Sequence, residues 1–93
     1  MARKAKQKVV IQTITEKEID AIHLAIGKML KDRREALGAT IDDFAYQVNI
    51  SRSGLIRIEK GQDLTLRSLL KVVRGLGTTP EELFSAIPHK VAK

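Results

Sequence analysis

Apolar positions recur along most of the chain with a helical period. From Thr15 onward, Ile19, Ile22, Ile26, Met29, Leu30 and Leu37 keep one stripe. Thr15 and Glu18 have capping-box spacing, and Gly38 is a stop, so a long first helix is predicted between them. Phe44, Ala45 and Val48 mark a second helix, and Leu55 and Ile58 a third. Leu66, Leu69, Leu70, Val73 and Leu76 mark a fourth, running from about Thr65 to Leu76 and closed by Gly77. Arg67, Lys71 and Arg74 line another face of that helix, either solvated or reaching a phosphate. A fifth helix opens on Thr79-Pro80-Glu81-Glu82, with Thr79 as cap, Pro80 at the first position and Glu82 completing the box. Leu83, Phe84 and Ile87 give this helix its apolar surface, Pro88 ends it, and residues 89–93 form a flexible tail. Upstream, Val9 to Thr13 is a short β-prone run that either pairs with its copy in a dimer or lies as an extended arm on the helices. The pattern predicts a compact all-α domain over residues 15–88, preceded by a basic, partly extended arm over 1–14.

The segment from Ile41 to Lys60 carries more than periodicity. Thr40 is an N-cap, and Asp42 and Asp43 suit the positive end of a helix dipole. Ala45 is small enough for a second helix to cross closely. Asn49 stands where the chain must turn, and it tolerates a left-handed backbone. Ile50 fills the corner and Ser51 caps the next helix. Arg52, Ser53, Ile56, Arg57 and Lys60 are left facing outward. Two amphipathic helices of any small bundle, with solvated arginines, are the plain alternative. Such a pair has no need of a small residue, a turn former and a corner apolar at these offsets, so the segment reads as a helix-turn-helix. A helix with two arginines and serines near its start suits a major groove. Arg52 or Arg57 would read guanine O6 and N7, and Ser51 and Ser53 would bond phosphate or a base edge. Ile56 would touch a thymine methyl or pack on its own neighbours, and Lys60 suits the DNA backbone.

On these residues the chain resembles the phage-repressor-like (Xre/Cro, lambda repressor-like) helix-turn-helix family. The stretches are IGKMLKDRREALGAT, FAYQV, ISRSGLIRIEKG and LRSLLKVVRGLGTTPEELF, within residues 26–84. The resemblance implies a five-helix domain and a sequence-specific regulator of double-stranded DNA, usually dimeric and often a repressor. It implies that Arg34 and Glu59 form a structural pair bridging the first and third helices. A single short helix reads few base pairs, so a homodimer on an inverted repeat is expected, with contacts from the fifth helix and the extra N-terminal turns. Three departures stand out. Ile41 takes a place where the family often has a phosphate-anchoring glutamine. Gly54 lies inside the third helix. The loop Gly61 to Leu64 is a residue shorter than is common and lacks the usual proline.

Composition adds bounds. The net charge is +6, yet Arg3, Lys4, Lys6 and Lys8 supply four of the 17 basic groups, leaving 13 against 11 acids in the rest. DNA affinity of the folded part must therefore come from charge placement, while the basic start is either a solvated tail or a source of phosphate contacts. There are no cysteines, which excludes disulfides and thiolate metal sites and suits a reducing cytoplasm. No stretch reads as a signal peptide or a membrane span. One Tyr, two Phe and no Trp argue against stacking platforms for single strands. His23 and His89 fall on different elements, and Asp42 and Asp43 point about 100° apart on a helix. No catalytic, metal or cofactor site is therefore expected. Ile41, Gly54 and Ile56 make the expected DNA face less polar than usual. That leaves a rival reading, a protein-binding module such as an antitoxin pairing with a toxin, or a bridge to the transcription machinery.

Overall fold

The computed structural model describes residues 8–87. The basic residues at 1–7, His89 and the tail at 89–93 lie outside the described residues. Five helices follow in order: α1 (Glu16–Ala36), α2 (Ile41–Val48), α3 (Arg52–Glu59), α4 (Leu66–Gly75) and α5 (Pro80–Ala86). The all-α architecture is as predicted.

Each helix starts on a hydroxyl cap. Thr15, Thr40, Ser51, Thr65 and Thr79 are extended at the N-cap, and each side chain accepts the backbone N–H three residues on. The Thr15–Glu18 box is complete. Thr65 and Ser68 make a second reciprocal pair that the sequence reading passed over. At α5, Glu82 turns its carboxylate to the hydroxyl of Thr78, one residue before the cap, at 2.7 Å.

One core joins the helices: Ile26 and Leu30 from α1, Phe44 and Ala45 from α2, Leu55 and Ile58 from α3, Leu69, Val72 and Val73 from α4, then Leu83 and Ile87. α1 packs on α3, α2 on α3 and α4, and α5 on α4. The crossing of α1 and α3 is close. A Cβ built on Gly27 would stand 2.6 Å from the Glu59 carbonyl oxygen and 2.8 Å from that of Ile58, so the two backbones meet directly there. On α4, Gly75 instead makes room for side chains of α2, those of Val48 and Phe44.

Some apolar positions fall elsewhere than expected. Leu37 is the exposed C-cap of α1, one residue past the helical stripe. Leu66 and Leu70 of α4 and Phe84 of α5 face solvent in the single chain. The run from Val9 to Thr13 forms no strand among the described residues, and it is exposed throughout. A β-prone run gains little without a partner strand, and this all-helical domain offers none.

Candidate nucleic-acid interface

The turn between α2 and α3 is built as its residues require. Asn49 takes the left-handed conformation (φ 61°, ψ 51°) at the C-cap of α2. Its carbonyl accepts from Lys71 Nζ of α4 at 3.1 Å. Lys71 therefore braces the turn. Ile50 packs against the core in the corner, and Ser51 Oγ accepts the Gly54 N–H at 3.0 Å.

The presentation of α3 is fixed from behind by a buried ion pair. Arg34 donates from Nε to Glu59 Oε2 (2.7 Å) and from Nη2 to Oε1 (3.1 Å). Its Nη1 donates to the Ala39 carbonyl at 2.7 Å, which ties in the turn leading to α2. The two side chains are only 7% and 6% exposed. Hydrogen bonding to Glu59 raises the Arg34 guanidinium above its ordinary value, outweighing the opposing effect of burial.

With that helix fixed, Ser51, Arg52, Ser53, Arg57 and Lys60 are all exposed, as anticipated. Ile56 is half-buried instead and borders a shallow depression shared with Ile41, Arg34 and Lys60. Two partners could not be read from the sequence. Arg52 Nε lies 2.7 Å from Asp42 Oδ1, across the turn on α2. Arg57 Nε donates to Asp63 Oδ2 at 2.6 Å, in the loop beyond α3. Both arginines thus carry an acidic neighbour while facing solvent. At Gly54, an added Cβ would meet Ser51 Oγ at 2.8 Å and Ile50 Cγ2 at 3.3 Å, so its missing side chain leaves room for the cap.

His23 sits half-buried on α1, and no group of His, Asp and Glu among the described residues could hold a metal ion. No helix among the described residues is long and apolar enough to cross a membrane.

A capped bihelical unit with a braced turn and a basic outer edge defines a DNA-binding helix-turn-helix. The sequence profile of the helix-turn-helix family matches residues 30–83, and the chain belongs to this Xre-like family of DNA-binding transcription regulators, which are not enzymes. It is 38% identical over 61 residues to the control protein C.MunI of a Mycoplasma species, covering 64% of this chain and 82% of that one. The restriction-modification controller protein C.AhdI of Aeromonas hydrophila superposes with a TM-score of 0.64 at 31% identity, over 69% of this chain and 98% of its own. A single-residue variant of the controller C.Esp1396I, solved bound to its highest-affinity operator site, superposes with a TM-score of 0.63 at 28% identity, covering 69% and 86%.

Proposed function

We propose that this protein is a sequence-specific transcription regulator that binds an inverted-repeat operator as a homodimer, with residues 51–60 in the major groove. Its role would be that of a controller of a restriction-modification system, as its relatives are named. The observation that carries the reading is the outer edge of α3. Ser51, Arg52, Ser53, Arg57 and Lys60 are solvent-exposed on a helix whose angle is set by a buried pair. Arg52 and Arg57 supply guanine-reading forks, the serines supply donors for phosphate or base edges, and Lys60 is placed for the DNA backbone. Ile56, half-buried beside Ile41, serves mainly as packing beneath that edge.

Dimer formation is supported by apolar surface that a single chain leaves open. Leu66 and Leu70 lie four apart on α4, and Phe84 lies on α5; these are 70%, 47% and 43% exposed. A second exposed set, Val9, Val10, Ile11 and Ile14, precedes α1. Two copies about a two-fold axis would place their recognition helices roughly 34–36 Å apart, one turn of duplex.

The test is selection of bound sites from random duplexes with the full chain. An enriched inverted repeat with half-sites one helical turn apart is expected. Failure to enrich any sequence at moderate salt would overturn the reading and favour a protein-binding module.

A further inference from the structure

Asp63 stands in the loop between α3 and α4 with a left-handed backbone, φ 49°. That loop is pinned to the end of α3. Gly61, at φ 82°, donates its N–H to the Ile58 carbonyl (3.0 Å), and Gln62 donates to the Arg57 carbonyl (2.8 Å), which together form a Schellman closure. Gly61 is also pressed on α1, where an added Cβ would meet Leu24 Cα at 3.0 Å. The backbone leading to Asp63 is therefore set relative to the helix that carries Arg57. The short loop puts this carboxylate back over α3, where it accepts from Arg57 Nε at 2.6 Å.

The bond uses Nε alone. Nη1 and Nη2 of Arg57 donate to no protein group among the described residues, and 47% of the side chain is open to solvent. A guanidinium held at Nε keeps its terminal amino groups free as a planar fork. Guanine O6 and N7 accept that shape in bidentate fashion, whereas a phosphate accepts a cation in many orientations. We propose that Asp63 is a specificity-determining positioning residue, which fixes the Arg57 guanidinium so that it reads one guanine in each half-site. The inference rests on the DNA-binding reading above.

The charge of Asp63 gives two readouts of opposite sign. Its carboxylate repels phosphates, so its removal strengthens binding to random DNA while base discrimination falls. A carboxylate that merely blocked Arg57 would, on removal, strengthen binding and leave base preference intact. A purely structural role would instead move the melting temperature.

The experiment compares the full chain with Asp63→Gly, Arg57→Ala and the double variant. Each is measured on the selected site, on single-base-pair variants of it and on random duplex. Glycine removes both carboxylate oxygens, and with them the acceptor for Arg57, while it adopts the left-handed backbone of this position without strain, so folding is preserved. Arg57→Ala is expected to flatten preference at one base pair per half-site, by about 5- to 150-fold. Asp63→Gly should flatten the same position at least about fivefold, tighten binding to random duplex, and melt with the wild type. The double variant should discriminate no less than Arg57→Ala. Retained preference in Asp63→Gly at the position that Arg57→Ala flattens overturns the proposal. So does an Arg57→Ala variant that flattens nothing while Arg52→Ala still does, an outcome that leaves the DNA-binding reading standing. Loss of site selection by the wild-type chain itself would end both.

Discussion

Arg34 and Glu59 meet through two hydrogen bonds, Nε to Oε2 at 2.7 Å and Nη2 to Oε1 at 3.1 Å, with almost no solvent on either side chain. The pair joins the last turn of α1 to the last residue of α3. Because both groups are out of water, removing one partner strands the other. Glu59→Ala is expected to lower stability by roughly 3–5 kcal/mol. In a domain of this size each kcal/mol is about 4–8 °C in melting temperature, so the drop should exceed about 10 °C. Glu59→Gln, which keeps the shape and one acceptor, should lose less. Across milder and harsher changes at this pair, stability should fall before the ranking of DNA sites changes. A variant that melts with the wild type would show the pair to be energetically idle.

Two glycines in helices should respond in different ways to alanine, although propensity alone favours both changes by about 1 kcal/mol. At Gly27 the new Cβ would lie 2.6 Å from the Glu59 carbonyl oxygen, and backbone cannot step aside. The helices must separate, which costs about 1–3 kcal/mol, so Gly27→Ala should be destabilising on balance. At Gly54 the nearest atom is the Ser51 hydroxyl at 2.8 Å, which can rotate away. Losing that N-cap bond costs ~1 kcal/mol, close to the helix gain, and Gly54→Ala should fall within about 0.5 kcal/mol of wild type. Urea midpoints of the two variants give the comparison directly. A stabilised Gly27→Ala would mean that α1 and α3 are not in backbone contact.

Local rules made much of this fold legible. Thr40, Ser51 and Thr79 cap where their residue types suggest, and Asn49 turns the chain left-handed as its short polar side chain allows. Longer-range features were not readable in this way. An apolar stripe does not say whether a core or another surface covers it: Leu66, Leu70 and Phe84 share their helices' apolar patterns with core residues, yet face solvent in the single chain. Gly27 reads as a helix liability until the crossing helix is known. The Arg34–Glu59 pair came from family resemblance rather than spacing. Asp42 and Asp63 lie on elements whose approach to Arg52 and Arg57 depends on the tertiary fold, and no local pattern marks them.

Acid should act visibly on the start of α5. The Thr78 hydroxyl donates to Glu82 at 2.7 Å and, with the Thr79 backbone, holds the Glu82 carboxyl below the usual glutamate range. A carboxyl depressed in the folded state adds stability above its unfolded value of about 4.3, and that stability is lost as pH falls through the folded value. The group is fully exposed, so the effect on overall stability is slight and screened by salt. The titration itself is the sharper measurement. In Thr78→Val the Glu82 carboxyl carbon, followed by NMR, should titrate closer to an ordinary glutamate. An unchanged midpoint would show that the hydroxyl does not hold the carboxylate in solution.

Arg52 offers the cleanest separation of folding from recognition. Its ion pair with Asp42 is exposed on both sides, 66% and 70%, and such pairs contribute about 0–1 kcal/mol. Arg52→Ala should therefore barely move the melting temperature. If its guanidinium reads a base, the variant loses ~1–3 kcal/mol on the selected site beyond whatever it loses on random duplex. If it only meets phosphate, both losses are equal, and the slope of log affinity against log salt falls in magnitude by about 0.9. Competition titrations of wild type and Arg52→Ala across a salt series measure both quantities in one data set. A larger loss on the selected site is expected, because Arg52 is the first residue of α3 and faces the surface that the buried pair orients. Equal losses with the shallower slope would reassign Arg52 to the DNA backbone and leave Arg57 as the base reader.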